Sequence, residues 1–155
     1  MSLILIIGDN MKEDIQLLVS IYQNAQMGII GIDNIIPDIE DSKLKEIILE
    51  QRNDYQDILK RIEKNLHKLS HQPEEISSIA KIMTYIDAKI NTMYDHSSTN
   101  IAKMMIKGND KGITEISKKI KDYLGQDQEI ISLAKELFRI EKKNLNTLKK
   151  FLSTK

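Results

Sequence analysis

The chain has 155 residues, 41% hydrophobic and 30% charged, with 23 Lys and Arg against 23 Asp and Glu; this describes one globular domain with a real core and no net field to draw nucleic acid or an anionic membrane. The absence of cysteine excludes disulfides, thiolate catalysis and cysteine-ligated zinc or iron–sulfur centres. Six glycines, two prolines and no tryptophan leave little turn punctuation for a β fold, so an all-α protein is expected.

Residues 1–9 contain the longest apolar run, Leu3 to Ile7. It is far too short to span a bilayer and lacks the basic start and cleavage site of a signal peptide. The segment reads as an N-terminal extension or tag-like stretch, residues 10–155 as a single helical bundle domain, and a cytoplasmic location is the expectation. Asn10 followed by Glu13 looks like an N-cap with its capping-box partner. From there Ile15, Leu18, Tyr22, Ala25, Ile29, Ile32 and Ile36 recur at spacings of three and four, predicting an amphipathic helix that ends at Pro37.

After a turn over Asp38 to Ser42, a second helix is predicted to about Ser70, with Leu44, Ile48, Tyr55, Ile58, Ile62, Leu66 and Leu69 on its stripe. Pro73 suits the first turn of a third helix, from Glu74 to about Tyr94, carrying Ile76, Ile79, Met83, Ile86 and Ile90. Asp95 to Ser98 reads as a break with capping residues. A fourth helix is predicted from about Thr99 to Leu124, with Gly125 as a left-handed terminator. The last spans about Gln128 to Leu152, with Ile130, Ala134, Leu137, Leu145, Leu148 and Leu152 on one face.

Four of these helices run about 25 residues each, roughly 38 Å at 1.5 Å per residue. Short connections make one hairpin of the first and second helices and another of the fourth and fifth. The third helix lies in the long crossover between them. A weak internal echo agrees: Gln26-Met27-Gly28-Ile29 matches Asp110-Lys111-Gly112-Ile113, and Gln51-Arg52-Asn53-Asp54 matches Glu141-Lys142-Lys143-Asn144.

Two apolar stripes are interrupted, each by a polar pair at i, i+3: Gln51 and Asp54 on the second helix, Glu141 and Asn144 on the last. Such a pair projects two groups from one face a turn apart, the spacing two ligands need to meet one centre. Counting outward from the turns near Ile39 and Gln126 brings Gln26 level with Gln51 and Asp54, and Asp110 level with Glu141 and Asn144. All six side chains are therefore expected at mid-bundle, where burial costs a few kcal/mol apiece unless they are paired or coordinated.

This layout resembles the ferritin-like proteins, in which two hairpins joined by a crossover gather a carboxylate from each of two helices and Glu-x-x-His from the other two around a pair of metal ions. The resemblance spans about Asn10 to Leu152. It places Gln26 at the first carboxylate, Gln51 and Asp54 at the first Glu-x-x-His, Asp110 at the second carboxylate, and Glu141 and Asn144 at the second motif. Only Glu141 matches the family's residue. Three carboxylates, three amides and no imidazole do not make the oxygen-activating di-iron site, which uses four carboxylates and two imidazoles. The expectation is no resident cofactor, with the amides hydrogen-bonded to the acids or to water as a register-fixing layer. One divalent ion, such as manganese, iron, calcium or magnesium, held by Gln26, Gln51, Asp54, Asp110, Glu141 and Asn144 is the alternative.

Other candidates read more blandly. His67 and His71, at i, i+4, lie beside the apolar stripe and are expected in solvent, and His96 is expected to tie a connector. Gly28, Gly31, Gly108 and Gly112 are read as permitting close helix approach, and Met104 and Met105 as core filler. No serine or threonine has a recognisable base partner, and no phosphate loop is present. Lysine-rich stretches such as 118–121 alternate with apolar residues, and Arg52, Arg61 and Arg139 are too few for a phosphate-binding stripe. The abundance of Ile, Lys and Asn suggests a bacterial source of low GC content. The function expected is thus a non-enzymatic structural or interaction bundle with a degenerate metal site, self-associating as a dimer; the alternative is a metal-binding protein with residual oxidase or storage chemistry. A small-molecule carrier has no positive feature in the sequence and requires an apolar cavity.

Overall fold

The structure is a computed structural model, and it describes residues 3–70 and 79–155, with side chains from residue 8 onward apart from those of residues 79 and 82. Among these residues five α-helices follow one another: α1 (Leu3–Ile35), α2 (Ser42–Lys68), α3 (Ile79–Asn91), α4 (Ser98–Asp122) and α5 (Gln128–Ser153), with a 3-10 turn at Ile36–Asp38 after α1. There is no strand among the described residues. Nor is any helix among them long and apolar enough to cross a membrane.

The helix starts are chemically marked. The side chains of Asp41, Ser97 and Asp127 each accept a hydrogen bond from the backbone N–H three residues on, capping α2, α4 and α5. The predicted break at Asp95 to Ser98 is therefore real. Pro37 sits in the 3-10 turn that closes α1, as its missing donor requires. Two predicted ends are corrected. Asn10 caps nothing, because α1 runs unbroken through it from Leu3. Gly125 is not a left-handed terminator, since no described glycine has positive φ; among the described residues the left-handed one is Ser70, at φ 55°, just beyond α2. Pro73, His71 and the predicted start of the third helix at Glu74 lie outside the described residues.

The stripes that define the helices in the sequence form the core. Leu18, Ile32, Leu44, Ile48, Ile58 and Leu137 are all fully buried, and at about 25 cal/mol per Å² of apolar surface such residues supply most of the drive to fold. On α3 the inward face is Ile86 and Ile90, whereas Met83 is 45% exposed, so Met83 does not belong to the buried stripe as predicted.

Cross-helix pairs fix direction and register. Asp33 receives two bonds from Arg52 between α1 and α2, and Asn109 meets Glu141 between α4 and α5. Between α2 and α5, Asp54 pairs with Lys143, Arg61 with Glu136 and Asp41 with Lys155. Between α1 and α4, Asn24 meets Gly112 and Asp14 meets Tyr123. In the α2–α5 and α1–α4 series one number rises as the other falls, and short turns reverse the chain from α1 into α2 and from α4 into α5, so neighbouring helices are antiparallel around the ring α1, α2, α5, α4. The chain leaves α2 at one end of this ring and begins α4 at the other, where His96 pairs with Asp38 at 2.7 Å. His96 is thus a connector tie, as expected, and the stretch carrying α3, which packs on α1, is the crossover.

Candidate functional site

The seam of each helix decides which polar groups enter the interior. On α5, Leu137, Glu141, Asn144 and Leu148 are all buried, so the interruption read from the sequence does face inward. On α2 the inward pair is Gln51 and Tyr55, four apart. Asp54 lies at the edge of that seam, 31% exposed, and its carboxylate is held by Lys143 at 2.9 Å. On α4, Ile101, Ala102, Asn109, Gly112 and Ile116 form the buried face. Asp110, turned about 100° away from Asn109 by the helical period, is exposed.

The expected convergence is corrected accordingly. Gln51, Glu141 and Asn144 are interior; Gln26 is half-buried and donates to the Tyr22 hydroxyl at 3.2 Å; Asp54 and Asp110 stay outside. The residues that complete the cluster are Asn109, Tyr55 and Asn24. Asn109 was legible from the phase of Ile101 and Ile116, while Tyr55 passes for an ordinary stripe residue.

Glu141 is the centre of the cluster. It is 3% exposed, and its Oε2 accepts from Asn109 Nδ2 at 2.6 Å. The same amide nitrogen lies 3.2 Å from the Tyr55 hydroxyl, which itself donates to the carboxyl. Burial pushes the Glu141 carboxyl up from 4.5 to about 7, and the bonds from Asn109 and Tyr55 hold back part of that rise. The Tyr55 hydroxyl is raised well above its ordinary value, first by burial and then by the charge of Glu141. Gln51 Nε2 donates to the backbone oxygen of Asn144 at 3.4 Å. The amide oxygens of Asn24, Gln51, Asn109 and Asn144, and Asn144 Nδ2, are buried with no partner among the described residues.

Two glycines let the cluster form. A Cβ on Gly28 would stand 2.7 Å from the Tyr55 ring, and one on Gly112 would stand 3.2 Å from Glu141 Cδ and from Asn24 Nδ2. These are the glycines of the internal echo, and each lies under a side chain from the other helix of its own hairpin. Gly31 and Gly108 are different: nothing lies within 4 Å of a Cβ at either, so they do not mark close approach. Instead they line a cavity of about 360 Å³ between α1, α3 and α4, at whose inner end lie Tyr55, Asn109 and Glu141. Met104 and Met105 are half-buried, packed against the core as expected, and also form part of its wall.

The remaining candidates fall as follows. His67 is exposed, and its proposed partner His71 lies outside the described residues. Among the described residues no three His, Asp or Glu side chains stand together as a metal group requires.

The family model described as Domain of unknown function (DUF2383) matches residues 13–122, which run from α1 through α4. No curated protein and no solved structure matches the chain.

Proposed function

Because the chain belongs to the DUF2383 family, whose description names no activity, we propose a function from the interior itself: a divergent ferritin-like bundle, non-enzymatic, whose two-metal centre has become a hydrogen-bonded polar cluster around one carboxyl. The ring of four antiparallel neighbours with a helix-bearing crossover supports the kinship. The observation that carries the reading is the bond from Asn109 to Glu141, 2.6 Å long and fully buried. In this reading an amide donor from α4 occupies the place where the ancestral fold would set a second carboxylate.

The donor set does not fit two metal ions. A dinuclear centre needs several carboxylates to neutralise four positive charges, whereas here Asp54 is engaged by Lys143 and Asp110 faces solvent. The cluster therefore serves to fix helix register, a use of buried polar groups that demands specific partners rather than high stability. The other reading, a single hard cation with residual oxidase or storage chemistry, draws on the unpartnered oxygens of Gln51, Asn109 and Asn144 beside Glu141. One carboxylate is a weak match for a divalent charge.

Thermal melts with and without Mn²⁺ or Fe²⁺ separate the two. The register reading expects the same Tm with and without metal, in wild type and in Glu141→Gln. A Tm that rises with either ion, and rises less in Glu141→Gln, overturns it. Dimerisation belongs to the same proposal: Leu124, 78% exposed, and Met11, 44% exposed, sit at the same end of the bundle. Sedimentation velocity checks it; a monomer across the micromolar range removes the self-association.

A further inference from the structure

The cavity between α1, α3 and α4 is room the fold leaves open. At about 360 Å³ it sits at the small end of ligand pockets. Met27 and Met104 line it with Ile86 and Ile90 from α3, so the wall is apolar and, through methionine, adaptable.

Its inner end is polar in one sense only. Asn109, 4% exposed, has Nδ2 committed to Glu141 and Tyr55, which fixes the amide orientation and leaves Oδ1 without a partner among the described residues. Asn24 repeats this: Nδ2 donates to the Gly112 oxygen at 3.5 Å, and Oδ1 is unpartnered. Both residues line the cavity. Buried acceptors remain costly until a donor reaches them, so whatever fills this space presents a hydrogen-bond donor to its inner end.

Charge narrows the class further. Lys89, Lys107 and Lys111 line the same cavity, with Lys89 and Lys111 lying 5.5 and 4.9 Å from the centre of the Tyr85 ring. Among the described residues none of the three is ion-paired with a carboxylate. Glu115 lines the cavity too, so a cation would have to pass three lysines against that one outer carboxylate, and an anion would bring its charge to unpartnered oxygens and the Glu141 carboxyl. We infer that the cavity is a binding site for a small, uncharged, apolar molecule that enters donor-first: a phenol or alcohol whose O–H donates to Asn109 Oδ1. This holds whether or not the bundle descends from a metalloprotein.

Calorimetric titration of the whole chain with 4-propylphenol and with its methyl ether, 4-propylanisole, tests the donor. The phenol is expected to bind about tenfold tighter, the worth of one neutral hydrogen bond, and tighter than octanoate or octylammonium. Gly31→Leu and Gly108→Leu place side chains in open space on helical backbone and are expected to abolish the binding; either one, shown folded by circular dichroism, suffices. The assignment is overturned if the phenol does not bind, if ether and phenol bind equally, if a charged chain binds tighter, or if a folded, filled variant binds as wild type does. The comparison of phenol with ether needs no variant, so it stands even if both substitutions unfold the chain.

Discussion

Replacing Glu141 by Gln removes the carboxyl from the buried cluster while keeping its size and an oxygen that can accept from Asn109. The carboxyl titrates at about 7 in the folded chain against 4.5 ordinarily, so between those values the folded state holds a proton that the unfolded state has released. Wild-type stability therefore falls as pH rises from 4.5 to 7 and stays at its lower level above. At about 1.4 kcal/mol for each pH unit separating the two values, the loss amounts to about 3 kcal/mol. Glu141→Gln lacks this term; whatever it loses in hydrogen bonding, about 1 to 3 kcal/mol, is independent of pH over the same window. Urea unfolding followed by helical circular dichroism, at intervals from pH 4.5 to 8.5, reads the difference. The variant should gain about 3 kcal/mol on wild type across the range, whichever is the more stable at its acid end. Two profiles that run parallel would refute the reasoning, because the carboxyl would then titrate alike in both states.

Asn109→Ala strips Glu141 of its shortest bond and should destabilise by about 1 to 3 kcal/mol, more at pH 9 than at pH 5 because the ionised carboxylate needs the donor most; urea midpoints at the two pH values check it. Gly28→Ala drives a methyl into the Tyr55 ring and should lose about 1 to 3 kcal/mol, whereas Gly31→Ala, in open space on a helix, should gain up to about 1 kcal/mol. Paired thermal melts that fail to separate these two glycines would contradict the packing. Asp54→Ala should change stability by no more than about 1 kcal/mol, since its partner Lys143 is 63% exposed.

The helical architecture was legible because it rests on periodicity and caps, which are local. The stripes of α2 and α5 predicted their buried faces nearly residue for residue, and Pro37 and the Asp95 to Ser98 break are set by backbone chemistry. The start of α1 was misread because Asn10 and Glu13 carry a capping pattern that a helix already under way can simply ignore. The site was half legible. Glu141, Asn144 and Gln51 interrupt apolar runs and could be found by that interruption alone. Counting from the turn sets Asp110 at the height of Glu141 and Asn144, but α4 is phased by Ile101 and Ile116, and that phase buries Asn109 instead. Asp54 shares a face with Gln51 in the i, i+3 sense, yet the seam continues at i+4 to Tyr55, and Lys143 on α5 captures the acid at the rim. The cavity had no local signature, because it is made by what α1, α3 and α4 fail to fill.

The central claim, that one carboxyl bonded by an amide has replaced a metal centre, is tested most directly by an anomalous difference map from crystals grown with excess Mn²⁺. The account predicts no manganese between α1, α2, α4 and α5, with Asn109 Nδ2 still within hydrogen-bond distance of Glu141. Two peaks roughly 3.5 to 4 Å apart in that interior, the separation of a working metal pair, with Glu141 ligating one of them, would contradict it.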